Sequence, residues 1–366
     1  MLGVQSRREE DAALVGVERR RGRGAVSNHS GRFETERRER LDDGWGSLDR
    51  LEALKTTIHV EKPRTIITRN DSPDIAFDRS VNPYRGCEHG CVYCYARPTH
   101  AYMGFSPGLD FETEIFVKDN AAQLLERELS ASGYAAKTLM LGANTDPYQP
   151  VEKSRRVTRS LLEVLARADH PVGIVTKSAL VARDIDILAP MARKGLAKVA
   201  ISVTTLDRGL ACAMEPRAAA PERRLETIAR LAEAGIPVAV LVAPVIPAVT
   251  DAEIETILAR AHAAGAREAG YILLRLPLEL RDLFSEWLVT HVPAKARRAL
   301  ALVRATRDGK LYDAAFDTRM KGTGPYAWMI GRRFEVAAAR LGFARTPLRT
   351  DLFRPPRREA QQLALF

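Results

Sequence analysis

Cysteine and long apolar runs are both scarce in this chain. Only four cysteines occur among 366 residues, which excludes a scaffold held together by disulfides. The longest apolar stretches, such as 236–249, fall short of the ~18 residues of a membrane-spanning helix and are broken by proline. The first apolar stretch, 12–17, is too short for a secretory signal. These absences predict a protein of the reducing cytoplasm that does not use a membrane.

Most of the chain has almost no net charge. The net charge is +10, and residues 291–366 carry 16 Lys and Arg against 6 Asp and Glu, which accounts for the whole excess. A basic region confined to one part of a chain favours polyanions, and nucleic acid is the leading expectation. The alternative is an arginine-rich tail that is merely solvated.

The order of apolar segments divides the chain into three parts. Residues 1–60 are rich in Arg, Glu and Gly without a sustained apolar period, which predicts a disordered leader with a short helix near 48–54. In residues 61–290, short apolar strands alternate with single helices about six times, which predicts an α/β fold with a parallel sheet covered by helices. Right-handed crossovers then give a barrel, a partial barrel or a doubly wound sheet. Residues 291–366 are predicted to form a basic helical extension.

Polar side chains collect where the predicted strands end. The carboxyl ends of the strands in such folds carry the reactive groups, so this placement predicts an active-site mouth. The polar residues at these ends are Asn144, Thr145 and Asp146 after one strand, Thr176, Lys177 and Ser178 after the next, Ser202 and Thr204 after a third, and Arg275 after the sixth.

Three of the four cysteines lie within eight residues, spaced C-x3-C-x2-C at Cys87, Cys91 and Cys94. A structural zinc site would need a fourth ligand, for which His89, His100 and Cys212 are available. An iron–sulfur cluster in an ordinary electron carrier takes four cysteine ligands. With three cysteines, one iron keeps an open position that a substrate or cofactor can occupy. The spacing alone leaves these alternatives open.

The spacing resembles the signature of the radical S-adenosylmethionine (SAM) superfamily, in which an aromatic residue, here Tyr93, precedes the last cysteine. The resemblance implies a partial (β/α)6 barrel and a 4Fe-4S cluster held by Cys87, Cys91 and Cys94. It implies reductive cleavage of SAM to a 5′-deoxyadenosyl radical, which abstracts hydrogen from a substrate. It also implies a reductant such as flavodoxin or ferredoxin, and a place for Tyr93 near the adenine of SAM.

A second segment, 142–152, reads GANTDPYQPVE and lacks the Gly-Gly-Glu of many superfamily members. It is similar instead to the branch related to spore photoproduct lyase, as are the strand-end residues around Lys177 and Ser202. The similarity implies that Thr145, Lys177 and Ser202 contact SAM. For each of these the alternative is a solvated loop residue or a helix cap. An ammonium at a strand end suits the methionine carboxylate, and Asp146 could hydrogen-bond its amino group.

Three further candidates carry open alternatives. Glu215 and Arg217 either contact the SAM ribose or the substrate, or form a salt bridge that caps the helix beginning near Pro221. Arg275 suits a phosphate or carboxylate, or pairs with Glu279.

The chain departs from the related branch at one position. The lyase carries a hydrogen-donating cysteine beside the position matched to Thr145, and this chain has Asn144 there. Cys212 is then either a substitute donor or a small buried apolar side chain. The resulting hypothesis is a radical SAM enzyme, lyase-like or modifying, with an anionic substrate. Its alternatives are a zinc-stabilised nucleic-acid-binding protein without radical chemistry and an electron carrier.

Overall fold

A seven-stranded sheet forms the centre of the computed structural model, which describes residues 22–35 and 54–356. Six neighbouring strands are parallel, and one antiparallel strand completes an edge. The two edge strands are not paired with each other, so the barrel is open and the expected partial (β/α)6 architecture is confirmed. From edge to edge the strands are β10 (Glu268–Leu273), β9 (Val238–Val245), β8 (Ala197–Ser202), β7 (Val172–Thr176), β6 (Leu139–Leu141), β3 (Arg79–Val81) and the antiparallel β2 (Ile67–Arg69).

A smaller sheet lies beside the first barrel strand. It consists of β1 (Thr57–Val60), β5 (Glu114–Val117) and β4 (Tyr84–Arg85), with β1 parallel and β4 antiparallel to β5. Strand β4 ends two residues before Cys87. The small sheet therefore fixes the point at which the cysteine segment begins.

Helices cover the sheet because their apolar faces meet the buried strands. The helix of residues 157–167, for example, buries Leu161, Leu162 and Leu165 completely in the main core, and burial of this kind contributes about 25 cal/mol per Å². No helix in the two described ranges is long and apolar enough to cross a membrane. The helices are α1 (Asp110–Thr113), α2 (Ala121–Leu129), α3 (Glu152–Arg155), α4 (Val157–Arg167), α5 (Ile185–Arg193), α6 (Arg208–Met214), α7 (Pro221–Glu233), α8 (Ile254–Ala263), α9 (Leu280–His291), α10 (Pro293–Ala305), α11 (Thr318–Lys321) and α12 (Gly324–Arg340).

The last barrel strand is displaced from its predicted position. The sequence favours 271–276, where the apolar residues are densest, whereas β10 runs from Glu268 to Leu273. Pairing of Glu268 with Ala239 of β9 sets the register, and an irregularity follows Tyr271. Arg275 consequently lies two residues beyond the strand, in the loop that leads to α9.

Part of the predicted leader is ordered against the barrel. Residues 22–29, called the strap below, contribute Ala25 and Val26 to the buried apolar side chains. Ser27 Oγ donates to Glu286 Oε2 at 2.6 Å, and Asn28 Nδ2 donates to Asp110 Oδ1 at 2.8 Å. The strap thus differs from the disorder expected of residues 1–60. Residues 48–53 of the predicted short helix lie outside the described residues.

Candidate active site

Residues 87–94, called the cysteine loop below, follow β4 and lie at the carboxyl ends of the barrel strands. Its backbone is held by two other segments, since Cys87 N donates to Phe111 O at 2.9 Å and Val92 N to Met214 O at 3.0 Å. Within the loop, Cys94 N donates to Cys91 O at 3.2 Å. Loop and strand ends therefore share one mouth, as the sequence predicts.

The Arg97 side chain donates hydrogen bonds to backbone carbonyl groups of this loop. Its Nε donates to Cys91 O at 2.8 Å and its Nη2 to Gly90 O at 3.1 Å, while Nη1 donates to the carbonyls of 107–108 at 3.0 and 2.8 Å. Nη2 also lies 2.5 Å from Glu112 Oε1, and both side chains are fully buried. Because a buried guanidinium needs a partner for its charge and its protons, the pair fixes the path of the loop.

Glu112 also binds the strap. Its carboxylate accepts hydrogen bonds from Gly24 N at 3.0 Å and Ala25 N at 2.8 Å. Gly90 approaches the same carboxylate with φ of 68°, and a Cβ on Gly90 would stand 2.7 Å from Glu112 Oε2. Only glycine combines this left-handed backbone with so close an approach. Strap, cysteine loop and Arg97 thus converge on one carboxylate.

The loop after β6 supports the cysteine loop from the other side. Thr145 Oγ1 donates to Gly86 O at 2.7 Å, and Gln149 Oε1 accepts from Glu88 N at 2.8 Å. Thr145 is buried and its hydroxyl is engaged within the protein. Its placement at the mouth agrees with the sequence, but its visible contacts are structural.

Asp146 joins three segments of the site. Its carboxylate accepts from Thr176 Oγ1 at 2.7 Å and from Lys177 N at 2.8 Å, and it lies 3.2 Å from His89 Nδ1. Burial alone raises the pKa of Asp146, but attraction to His89 and the hydrogen bonds outweigh it and bring the pKa to about 2. Asp146 is therefore held as a carboxylate whose oxygens bind the protein itself.

Lys177 and Tyr93 stand together at the end of β7. The Lys177 Nζ lies 5.6 Å from the centroid of the Tyr93 ring, and Tyr93 Oη is 3.1 Å from Thr204 Oγ1. Among the described residues, none hydrogen-bonds or pairs with the Lys177 ammonium. Lys177 is thus available for an anionic ligand, in contrast to Thr145 and Asp146, whose polar atoms bind the protein.

The candidates after β8 are engaged with protein partners. Glu215 is fully buried and pairs with Arg224 of α7, and Thr204 Oγ1 donates to its other oxygen at 2.8 Å. Ser202 is buried at the end of β8, and its carbonyl accepts from Arg224 Nη1 at 3.1 Å. Arg217 Nη1 lies 2.9 Å from Glu88 Oε1. Glu215 therefore ties the strand end to α7, and Arg217 ties it to the cysteine loop.

Of the two remaining candidates, Cys212 is on the surface and Arg275 lies at the mouth. Cys212 is exposed on α6, so the alternative that it is a buried apolar side chain is wrong. Arg275 lies at the mouth, with its guanidinium carbon 5.3 Å from the centroid of the Tyr95 ring. The alternative in which Arg275 pairs with Glu279 is wrong, since Glu279 binds Arg32 at 2.6 Å instead.

The three thiols of the loop form one electrostatic group. All are free; burial raises the pKa of Cys87, and the negative charges of Asp146, Cys91 and Cys94 raise it further. Burial also raises the pKa of Cys91, while the nearby Lys177 charge opposes that rise. A metal centre that replaces the thiol protons relieves this penalty, because metal ligands are thiolates. The site therefore fits a metal cluster bound by three cysteines.

The possible fourth zinc ligands are dispersed. His89 faces Asp146, His100 is buried among aromatic rings that include Phe105 and Phe111, and Cys212 is on the surface. Within the parts of the chain that the structure describes, no group of three or more His, Cys, Asp and Glu is arranged around a single ion. A cluster differs from a single ion because each thiolate binds a separate iron.

Sequence analysis missed the residues that hold the loop: Glu112, Gly24 and the strap. Arg97 lies three residues after Cys94, close enough to the motif to be a candidate for holding the loop. No local sequence pattern marks Glu112, because the residues that it binds, Gly24 and Arg97, are 88 and 15 residues away along the chain.

Known proteins resemble this chain over the region that holds the cysteines and most of the barrel strands. A family profile described as the Radical SAM superfamily matches residues 81–261. The chain is 37% identical over 232 residues to an uncharacterized protein of Mycobacterium tuberculosis, a match that covers 63% of this chain and 68% of the relative.

Solved structures also match part of the chain, at lower identity. A spore photoproduct lyase variant matches with a TM-score of 0.47 and 18% identity over 63% of this chain, and the chain spans 66% of that protein. A variant with bound AdoMet and dinucleoside spore photoproduct matches with a TM-score of 0.47 and 16% identity over 67% of this chain and 72% of its own.

Proposed function

The chain belongs to the radical SAM superfamily, and we propose that it uses Cys87, Cys91 and Cys94 to hold a 4Fe-4S cluster for radical chemistry on an anionic substrate. Members of this superfamily use such a cluster together with SAM. When bound, the two supply reductive cleavage of SAM to a 5′-deoxyadenosyl radical, which abstracts hydrogen from the substrate. The electron comes from a reductant such as flavodoxin or ferredoxin, and a cytoplasmic location suits free thiols.

One observation carries the proposal: three free thiols share a buried loop at the mouth of an open parallel barrel. The only other cysteine of the chain, Cys212, is exposed on α6. The cluster would therefore lack a fourth cysteine ligand from this loop and keep one iron open to SAM.

Lys177 supports a place for SAM beside the cluster. Its unpaired ammonium over the Tyr93 ring can bind the methionine carboxylate, and the ring offers an apolar surface near the cysteines. Asp146 acts on SAM indirectly, by fixing the backbone of Lys177 and the His89 ring. Thr145, Ser202, Glu215 and Arg217 shape the walls through the bonds described above.

Nucleic acid is the substrate class that the charge distribution favours. Helix α10 exposes four cations that form no ion pair with a described residue: Lys295, Arg297, Arg298 and Arg304. At the end of this helix, Arg307 Nη2 donates to Leu274 O at 3.1 Å, just before Arg275. The exposed cations of α10 suit binding along a phosphate backbone. The lyase reaction itself does not extend to this chain, because Asn144 offers no thiol hydrogen and Cys212 is on the surface.

The test is anaerobic reconstitution with iron and sulfide, followed by reduction in the presence of SAM. Wild type and Cys212→Ala should show visible absorbance of an iron–sulfur cluster and release 5′-deoxyadenosine. Cys91→Ala should do neither. A colourless wild-type protein that binds zinc and yields no deoxyadenosine would refute the proposal and favour the zinc-stabilised alternative.

A further inference from the structure

Arg275 is a partly buried cation at the mouth that has no carboxylate partner among the described residues. Its Nη1 lies 3.5 Å from Met320 Sδ and its Nη2 3.5 Å from Tyr312 Oη. Its Nε is buried and forms no hydrogen bond. Weak contacts with sulfur, phenol and the Tyr95 ring leave most of its hydrogen-bonding capacity unused.

Asp74, which interacts electrostatically with Arg275, and Glu279, four residues further along the chain, are committed to other arginines. Asp74 Oδ1 lies 2.6 Å from Arg319 Nη2, and Glu279 is bound by Arg32. Within the described residues no carboxylate therefore forms an ion pair with Arg275, and its interaction with Asp74 acts only at longer range. Leaving a partly buried charge unpaired costs free energy, unless a ligand supplies the counter-charge.

A second cation increases the positive potential at this point. Arg307 is 2% exposed and donates only to backbone carbonyls, including those of Thr318 and Leu274. Burial lowers the pKa of Arg307, and the charge of Arg275 lowers it further, so the two guanidinium groups repel each other. An anion bound to Arg275 would relieve this repulsion.

We infer that Arg275, with the Tyr312 hydroxyl beside it, binds an oxyanion of the substrate, either a phosphate or a carboxylate. A planar guanidinium presents paired N–H groups to two oxygens of such an anion. The Tyr95 ring, which Arg275 contacts, connects this anion site to the cysteine loop, because Tyr95 directly follows Cys94. The inference rests on the proposed function, because it takes this anion to belong to the molecule on which the radical acts.

The test measures how fast phenylglyoxal modifies Arg275 in the full chain, by mass spectrometry of its peptides. The probes are inorganic phosphate, dimethyl phosphate and acetate, each at matched ionic strength against chloride. A bound oxyanion should slow modification of Arg275 about threefold at an occupancy of two thirds. Exposed Arg230 on α7 is the internal control and should react at the same rate throughout.

The three probes separate the sources of the anion. Protection by both phosphates assigns a phosphate group, including the diester of a nucleic acid, and protection by acetate alone assigns a carboxylate. Equal protection of Arg275 and Arg230, or none with any probe, overturns the inference. A thermal shift adds a second readout: phosphate should stabilise wild type and Arg230→Gln but not Arg275→Gln. Deoxyadenosine release by wild type is scored separately, so failure of the proposed function is distinguishable from failure of the anion site.

Discussion

A Cβ atom built on Gly24 would stand 1.8 Å from the carbonyl oxygen of Gly90, so the strap crosses the cysteine loop at backbone contact distance. No ordinary side chain fits at this crossing, and no rotamer change relieves the clash, because the opposing atom is main chain. The strap is thus packed directly onto the cysteine loop.

Gly24→Ala should displace the strap and loosen the cysteine loop. Overpacking of this kind costs about 1–3 kcal/mol in the free energy of unfolding, and we expect faster loss of a reconstituted cluster in air. Urea unfolding and the decay of visible absorbance measure the two effects. Gly209→Ala on α6, where the nearest atom would be the Asp207 carboxylate at 3.3 Å, is the control and should keep the wild-type decay. An unchanged decay in Gly24→Ala would contradict the crossing.

Glu112→Gln should destabilise the protein by about 3–5 kcal/mol, because it leaves the buried Arg97 charge without its partner. The strap should open at the same time, since the amides of Gly24 and Ala25 lose a charged acceptor. Hydrogen exchange of peptides from the strap measures this opening. Exposed Glu226→Gln on α7 is the matched control. Wild-type protection of the strap in Glu112→Gln would show that other contacts hold it.

Lys177→Met should weaken SAM binding about tenfold to a hundredfold, the usual range for loss of one charge-assisted hydrogen bond. Lys177→Arg should retain part of the affinity because it keeps the charge. Equilibrium binding of SAM to the reconstituted protein measures the effect, and surface Lys194→Met serves as control. Equal affinity in Lys177→Met and wild type would remove Lys177 from the SAM site.

Stability should fall as the pH drops from about 6.5 towards 4, in part through His170. Burial lowers the pKa of this fully buried histidine from 6.5 to about 4, so the folded state binds fewer protons than the unfolded chain in this window. His170 then contributes full stability above pH 6.5 and loses up to about 3 kcal/mol as the pH falls through the window. Urea midpoints at several pH values should show a shallower slope for His170→Gln than for wild type or His262→Gln. Identical slopes in all three would contradict the lowered pKa.

The basic face of α10 should set the salt dependence of oligonucleotide binding. Replacing Lys295, Arg297, Arg298 and Arg304 by Gln should reduce the slope of log K against log salt by about 0.7 for each phosphate that is no longer neutralised. A double variant of exposed Arg193 and Arg230 is the control, since both lie outside this helix. The measurement is the binding of a single-stranded oligonucleotide at several salt concentrations. If wild type, the α10 variant and the control variant bind it equally strongly and with the same salt dependence, α10 is excluded from the interface.

The barrel and the cysteines could be predicted because their signals are local. Apolar runs such as 238–245 report their own burial, and the spacing of Cys87, Cys91 and Cys94 carries its chemistry within eight residues. The expected SAM contacts at Thr145 and Glu215 show what sequence reasoning lacks. Their type and position at strand ends could be predicted, but their bonds to Gly86 and Arg224 follow from packing that spacing does not encode.

The strap has a consequence for how the protein is made. Ser27 leaves the ribosome early, yet its partner Glu286 follows 259 residues later. This bond cannot form until nearly the whole barrel has been synthesised, whereas the bonds from Gly24 and Ala25 to Glu112 need only the first 112 residues. The strap therefore joins a part of the chain that is made early to α9, which is made near the end.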